Sequence, residues 1–357
     1  MLHHLATAAP SSLIVHAQDA AATADDGLKP LVYGGFVVVV LVLLALDLGV
    51  FHRKAHVVGM REALGWTAVW VSTALVFSVA VYFMYDRHFL GLGLDVPVLG
   101  RPGERETLEA FDAWKLFITG YVVEESLSLD NVFVMTVIFS SLRIPREYQH
   151  RVLFWGILGA LVMRGAMIFA GYRLVLQFSW ITYVFGGFLV LTALKMALVR
   201  HDSSDPAAGW SMRVARRLMP VTDRFDGQKL VTRIDGRRYA TPLLLALILI
   251  ELTDVVFALD SIPAIFAITA DPFLVFTSNV FAILGLRSLY FCLAALVTSL
   301  RYLQSALIAV LMFVGIKMCL VHTPLKISTD VALVVVLGLL IGGVVASLLA
   351  PNRQDPA

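Results

Sequence analysis

The chain consists of long apolar blocks separated by short polar segments. Each block holds about twenty residues, the length that an α-helix needs to cross a hydrocarbon layer roughly 30 Å thick. A soluble protein would instead show short apolar runs broken by polar helix faces. The pattern predicts an all-α integral membrane protein of nine transmembrane helices, at residues 31–51, 64–85, 113–139, 152–172, 180–199, 241–261, 273–299, 303–321 and 329–350.

Composition supports a membrane protein and excludes several other classes. The chain is 59% hydrophobic and 15% charged, whereas soluble domains are nearer half apolar and a quarter charged. A net charge of +2 is too small to indicate nucleic-acid binding. Cys292 and Cys319 both lie in apolar blocks, which argues against a disulfide framework or a soft-metal thiolate site.

The distribution of Lys and Arg predicts the orientation. With the N-terminus outside, the cytoplasmic connections carry 17 basic residues and the outer side carries 7. Cytoplasmic loops of membrane proteins are enriched in Lys and Arg, so the N-terminus is expected outside and the C-terminus inside. Nine of the basic residues lie between Arg200 and Arg238, in and next to one polar loop at 201–240, whose VTRIDGRRYA stretch predicts a β-hairpin with an Asp-Gly turn.

Two acid-containing spans form an internal repeat. VVEESLSLDNVFVMTVIF at 122–139 aligns with LTDVVFALDSIPAIFAIT at 252–269, so that acids six residues apart coincide. Each segment is followed by a span with a single arginine and then by a span ending in Lys-Met. The matched charges are Glu124 with Asp254, Asp130 with Asp260, Arg164 with Arg287, and Lys195 with Lys317.

The repeat has three spans, an odd number, so two copies in tandem must face opposite ways in the membrane. Inverted repeats with a site between them near the midplane are a transporter architecture. This predicts a loose outer tail at 1–30, two N-terminal helices and an outer loop at 31–112, repeat 1 at 113–200, the basic cytoplasmic loop at 201–240, repeat 2 at 241–322, and a last helix with the C-terminal tail at 323–357.

Charged residues inside the spans indicate a cation site. Seven acids accompany four bases, which leaves three excess negative charges if all are ionised. Desolvated carboxylates must take up protons or hold a cation. No histidine lies at a span centre, so the ligands on offer are oxygens, which suit Mg²⁺, Ca²⁺ or Mn²⁺.

Helix geometry restricts how the acids can meet. Residues six apart are about 240° apart around a straight helix, so Glu124 and Asp130 would converge only if the helix breaks near them. Pro263 supplies such a break beside Asp260, because its ring frees the carbonyl of Leu259. Glu251 and Asp254, three residues apart, share a face without a break.

Several of these residues also have a structural interpretation. Arg164 and Arg287 would either neutralise acids or contact a substrate. Lys195 and Lys317 would either have one of these roles or extend to the membrane surface. Asp47 would bind an ion or lie at the interface, and Glu125 would bind an ion or face water. The alternatives remain open at the level of sequence.

The chain resembles the TerC/Alx family of bacterial membrane proteins along nearly its whole length. The resemblance lies in ALDLGVFHRKAH at 45–56, EESLSLDNVFV at 124–134, LGALVMRGAMIF at 158–169, and the run from ELTDVVFALDSIPAIFAIT to SNVFAILGLRSLYF at 251–291. It implies manganese export in the bacterial inner membrane, a link to tellurite resistance and a grouping with LysE-type exporters. The ion-handling positions it implies are Asp47, Glu124, Asp130, Asn131, Glu251, Asp254 and Asp260.

The leading hypothesis is a transporter that exports Mn²⁺, with protons as a candidate counter-ion and no organic cofactor. The alternative is a membrane scaffold for metal or tellurite stress, which recruits partners through loop 201–240. No metalloprotease HExxH, Ser–Lys dyad or nucleotide-binding loop is present in the sequence, so an enzyme is not expected.

Overall fold

The structure, a computed structural model, describes residues 29–47, 59–98, 104–178, 180–198, 220–293 and 302–349. Most of the predicted outer tail and about half of loop 201–240 lie outside these residues. Within them the chain forms α1 (Lys29–Leu46), α2 (Met60–Asp86), α3 (Ala110–Ser141), α4 (Arg146–Gln177), α5 (Ile181–Leu198), α6 (Pro242–Phe266), α7 (Pro272–Leu293), α8 (Leu303–Cys319) and α9 (Thr329–Leu349).

Each of the nine predicted spans corresponds to one of these helices. By length and composition, seven of the described helices can cross a membrane. The other two are α3, which carries the acids of the first repeat, and α8, which has only 17 residues. Large apolar side chains such as Val76, Leu191 and Val334 are 66–71% exposed on the outer surface of the bundle. Such an apolar exterior is expected of a surface that faces lipid.

Helix α7 lies at the centre of the bundle. Most of its side chains are buried, and it packs against α2, α3 and α4. Phenylalanines join α7 to α2 and α3; the rings of Phe77 and Phe281 are 4.7 Å apart, and those of Phe77 and Phe117 are 5.5 Å apart. The central position of α7 places its polar residues inside the bundle rather than against lipid.

The helices of the two predicted repeats contact each other reciprocally. Helix α3 packs against α7, and α6, its predicted counterpart, packs against α4, the counterpart of α7. The third helices, α5 and α8, pack against each other. Their close approach depends on glycine, because a Cβ at Gly186 would lie 2.8 Å from the carbonyl oxygen of Gly315. This pattern is compatible with two inverted units, and the inversion itself stays a prediction.

The predicted β-hairpin is confirmed. Strands β3 (Val231–Ile234) and β4 (Arg237–Ala240) pair antiparallel, as do the shorter strands β1 (Val96–Pro97) and β2 (Arg105–Glu106) that precede them in the chain. Asp235 and Gly236 form the turn with φ of 50° and 77°, as a two-residue type I′ turn requires. Beside the hairpin, hydrogen bonds from Lys229 and Thr232 hold the pKa of Asp226 below its ordinary value.

The predicted breaks within the acid-bearing helices are wrong. Helix α3 continues without interruption past Glu124 and Asp130, and α6 continues through Pro263 to Phe266. Pro263 lies in the last turn of α6, where the helix ends three residues later. The lost hydrogen bond therefore affects only the end of the helix and does not divide it.

Candidate functional site

Arg164 holds the centre of the bundle together. Its side chain is 2% exposed and reaches from α4 to three other helices. The guanidinium donates to Asp254 on α6, with Nε 3.0 Å from Oδ2 and Nη2 2.7 Å from Oδ1. It also pairs with Glu124 on α3 and lies 3.3 Å from Oδ1 of Asn279 on α7. Arg164 thus neutralises acids of both repeats, one of its two predicted roles.

Next to this cluster a cavity of about 280 Å³ opens between α3, α5, α6 and α8. Its polar lining comes from both repeats: Glu124, Asp130, Asn131, Arg164, Thr192, Lys195, Asp260 and Ser261. Four of the seven residues predicted to handle ions therefore line one space. A fifth, Asp254, accepts hydrogen bonds from Arg164 and from Asn131, whose Nδ2 is 3.1 Å from Oδ1 of Asp254.

The cavity wall includes oxygen atoms that have no hydrogen-bond partner. Oε2 of Glu124, Oδ1 of Asn131 and Oγ of Ser261 are all buried in this way. Buried polar atoms are nearly always satisfied in folded proteins, so such atoms call for an explanation. Here they belong to one carboxylate, one amide and one hydroxyl, which are the ligand types of hard cations.

Asp130 and Glu124 reach the cavity from an unbroken helix. Leu127, Asn131 and Val134 form the face of α3 that lines the cavity. Glu124 lies one turn before Leu127 on this face, and Asp130 lies at the edge of the face. The cavity extends around enough of the helix to receive both acids. Convergence therefore needs only a wide cavity and not the predicted break.

Asp260 is oriented by a residue that sequence reasoning missed. Thr192 on α5 donates a hydrogen bond of 3.0 Å from Oγ1 to Oδ1 of Asp260. Lys195, one turn further along α5, lines the same cavity and lies near enough to Asp260 to interact with its charge. No sequence pattern marks this hydroxyl, because its partner Asp260 lies on another helix.

The two matched lysines lie in different surroundings. Lys317 is buried in a separate cavity near one end of the bundle, which Lys115, Lys326 and Asp330 also line. Lys195 and Lys317 therefore match in the repeat alignment but have different surroundings in the structure.

Glu251 lies outside the main cavity. It lines a small space with Asp254 and Arg287, and its Oε1 has no hydrogen-bond partner. The carboxylate rests directly against Gly159 of α4, where a Cβ would overlap it. Glu251 and Asp254 thus share a face of α6, as predicted.

Asp47 lies in a second cluster of buried charge. At the end of α1 it pairs with Arg287, whose Nη1 is also 3.1 Å from Nε2 of His150. Both Asp47 and Arg287 are about 95% buried. Asp47 is therefore paired with a base and separate from the cavity that holds Asp130 and Asp260.

The charges around the main cavity leave a negative excess. If all groups are ionised, four carboxylates face two bases, a difference of two: Glu124, Asp130, Asp254 and Asp260 against Arg164 and Lys195. One divalent cation would balance this excess. Among the described residues, no three His, Cys, Asp or Glu side chains form a metal-binding group, so a bound ion would also need Asn, Ser or backbone oxygens.

Comparisons with known proteins agree with the membrane architecture. Residues 110–355 match the family described as "Integral membrane protein TerC family". The chain is 52% identical to "Uncharacterized membrane protein STKORF319" of Myxococcus xanthus over 92% of this chain and 95% of the relative. It is 44% identical to "Putative membrane-bound redox modulator Alx" of Salmonella typhi, over 85% and 90% of the two chains. No solved structure matches.

Proposed function

The chain belongs to the TerC family of multi-pass integral membrane proteins, and we propose that it exports divalent manganese across the bacterial inner membrane, with its N-terminus outside. The observation that carries the proposal is the cavity between the two repeats. Its wall holds three carboxylates, and unpartnered oxygens of Glu124, Asn131 and Ser261 face the bundle interior. This chemistry suits a hard cation.

Arg164 gives the site a way to bind and release its cargo. Its guanidinium supplies one positive charge between Glu124 and Asp254. A divalent ion that enters beside Asp130 and Asp260 competes with Arg164 for Glu124, because both need the same carboxylate. Binding then exchanges one ionic contact for another, so the ion is held without being trapped. A carrier has to satisfy both requirements.

Movement of the two repeats would carry the ion across the membrane. The cavity is lined by α3 and α5 of one repeat and by α6 and α8 of the other. Rocking of one repeat against the other would therefore change which side of the membrane the cavity faces. All three of Mn²⁺, Ca²⁺ and Mg²⁺ favour oxygen ligands, so the residues of the cavity do not discriminate among them. We name Mn²⁺ as the exported ion because of the family resemblance.

The test is manganese export from a manganese-sensitive bacterial strain. Cells that express the protein are loaded with Mn²⁺, and their manganese content is measured by mass spectrometry. We expect the wild type to lower cell manganese, and Asp130→Asn and Asp260→Asn to abolish that effect at equal expression. Asp86→Asn, an exposed acid at the end of α2, is the matched control and should behave as the wild type.

Two results would contradict the proposal. One is unchanged cell manganese with the wild type; the other is full export by both cavity variants.

The scaffold alternative is tested by removing residues 202–218, which leaves the hairpin in place. Loss of manganese tolerance on that deletion, with export from vesicles unchanged, would favour a scaffold.

A further inference from the structure

The cavity that contains Lys317 is a second candidate site. It has a volume of about 410 Å³ and lies at one end of the helix bundle, where α3 begins, α6 joins α7, α8 ends and α9 begins. With the N-terminus outside, as proposed above, this end faces the outer side of the membrane. None of its lining residues belongs to the cavity that holds Asp130 and Asp260, so the two cavities are separate.

Lys317 is a buried base without an acid to neutralise it. It lines this cavity and is only 7% exposed. Among the described residues its ammonium group forms neither an ion pair nor a hydrogen bond. Lys326, a second base on the same wall, lies near enough to interact with its charge, and that interaction is repulsive. Because a buried charge without a counter-ion is costly, Lys317 indicates a ligand of opposite charge.

Three lysines and three acids line the cavity, but the acids do not serve Lys317. Lys115 pairs with two of them, at 2.8 Å from Oδ1 of Asp112 and 2.6 Å from Oδ1 of Asp330. The third acid, Glu106, is exposed on strand β2. In the part of the chain that the structure describes, none of the three forms an ion pair with Lys317.

Two hydroxyl groups of the same wall have a hydrogen to donate. Oγ1 of Thr269 accepts a hydrogen bond from the backbone N–H of Asp271 at 3.1 Å, and Oγ of Ser328 accepts from that of Val331 at 3.4 Å. Neither hydroxyl donates to another described residue. A hydroxyl can donate as well as accept, and an ammonium group can only donate. These groups therefore suit an anion that carries several acceptor oxygens.

A phosphate group has the chemistry that these donors require. It carries negative charge and several strong acceptor oxygens, and lysine binds it as a point charge. The position of the cavity also favours this ligand, because phospholipid headgroups lie at the ends of transmembrane helices. Leu325, next to Lys326 in the chain, is 71% exposed and offers an apolar surface to an acyl chain.

We propose that the ammonium groups of Lys317 and Lys326 bind a phosphate group, with the hydroxyls of the same wall as further donors. The phosphate belongs either to a lipid headgroup or to a free phosphate ion. The site does not depend on the function proposed above. A bound phosphate would connect the turn between α6 and α7, the end of α8 and the segment before α9, and would so stabilise this end of the bundle.

Thermal unfolding of the purified full-length protein in detergent tests the site. One arm adds inorganic phosphate, with sodium chloride at equal ionic strength as its reference. The other adds phosphatidylglycerol, with zwitterionic phosphatidylcholine as its reference. We expect at least one of the two ligands to raise the unfolding temperature of the wild type. Lys317→Met should raise the apparent Kd for that ligand at least about tenfold, and Lys326→Gln about two- to fivefold.

Lys229→Met is the matched control, because Lys229 is an exposed lysine beside the β-hairpin at the other end of the bundle. It should respond to both ligands as the wild type does. Lys317→Met also has a built-in test of folding. Since methionine removes a buried charge that has no partner, the variant should unfold no lower than the wild type when phosphate and phosphatidylglycerol are absent.

The two arms distinguish the sources of the phosphate. A response to phosphatidylglycerol alone identifies a lipid headgroup, and a response to inorganic phosphate identifies the free ion. No response of the wild type to either ligand overturns the proposal, as does an equal response from Lys317→Met. A lower unfolding temperature of Lys317→Met without either ligand would also contradict it, because Lys317 would then stabilise the fold without an anion.

Discussion

Arg164 donates two parallel hydrogen bonds to Asp254, from Nε to Oδ2 at 3.0 Å and from Nη2 to Oδ1 at 2.7 Å. This fork-to-carboxylate geometry joins a helix of the first repeat to a helix of the second. The remaining guanidinium nitrogen, Nη1, contacts Glu124 and Asn279. One side chain therefore ties α3, α4, α6 and α7 together beside the cavity.

We predict that Arg164→Lys destabilises the protein and abolishes export. Lysine has the charge but not the planar fork, so it cannot satisfy Asp254 and Glu124 together. Loss of hydrogen bonds to charged groups suggests a cost of about 1.5–3 kcal/mol, and Arg164→Ala, which leaves buried acids unpaired, about 3–5 kcal/mol.

Thermal unfolding in detergent measures this effect. Arg173→Lys is the control on the same helix, because Arg173 is exposed and lies over the ring of Phe169. Equal unfolding temperatures for the two lysine variants would contradict a central role for Arg164.

We also predict that Thr192→Val weakens Mn²⁺ binding while the fold is retained. Valine has nearly the shape of threonine, but it cannot donate the hydrogen bond that orients Asp260. A net hydrogen-bond contribution of about 0.5–1.5 kcal/mol corresponds to roughly a two- to tenfold rise in Kd. Calorimetric titration with Mn²⁺ gives the value.

Thr73→Val is the comparison for that titration, since the hydroxyl of Thr73 donates to the carbonyl oxygen of Val69 on its own helix at 2.8 Å. An unchanged Kd in Thr192→Val would show that Asp260 does not contact the ion, or that Thr192 does not orient it.

Sequence reasoning found the helices and most of the charged centre. Apolar block length was enough to place nine helices, and the repeat alignment identified Glu124, Asp130, Asp254 and Asp260. It could not separate Glu124 from Glu125, because consecutive residues on a helix diverge and only packing decides which partner each meets. Arg287 shows the same limit: its match to Arg164 holds in sequence, yet it pairs with Asp47.

The prediction of a helix break at Pro263 was wrong for a related reason. A proline's effect depends on how much helix follows it, and the sequence does not mark that α6 ends at Phe266. Thr192 was missed because a single hydroxyl in an apolar span carries no signal until its neighbour, Asp260 on another helix, is known.

Gly159→Ala should destabilise the contact between α4 and α6. An added methyl group would overlap the carboxylate of Glu251. Because this carboxylate is the end of a flexible side chain that can move aside, we expect a cost near the lower end of the about 1–3 kcal/mol that core crowding causes. Gly187→Ala on α5 is the matched control, because nothing lies within 4 Å of a Cβ there. That variant should gain about 0.5–1 kcal/mol from helix propensity.

Unfolding of Gly159→Ala alone and combined with Glu251→Ala isolates the clash. If the carboxylate is the obstacle, removing it restores most of the lost stability, which appears as a coupling energy in the double-variant cycle. Additive effects of the two changes would place Glu251 elsewhere.

The last prediction concerns the end of the bundle remote from the cavity. Tyr85 is fully buried and donates a hydrogen bond of 2.8 Å to Oδ2 of Asp271. The other oxygen of Asp271 accepts from the backbone N–H groups of Phe273 and Leu274 at 2.9 and 3.2 Å, and so caps α7. Tyr85→Phe leaves this buried oxygen of Asp271 without its donor, so it should cost about 1–3 kcal/mol. Tyr302→Phe, at an exposed tyrosine, should cost nothing measurable.

Since neither Tyr85 nor Asp271 lines the cavity, the Kd for Mn²⁺ should not change in either variant. A large loss of Mn²⁺ affinity in Tyr85→Phe without loss of stability would mean that this end of α7 takes part in ion binding directly.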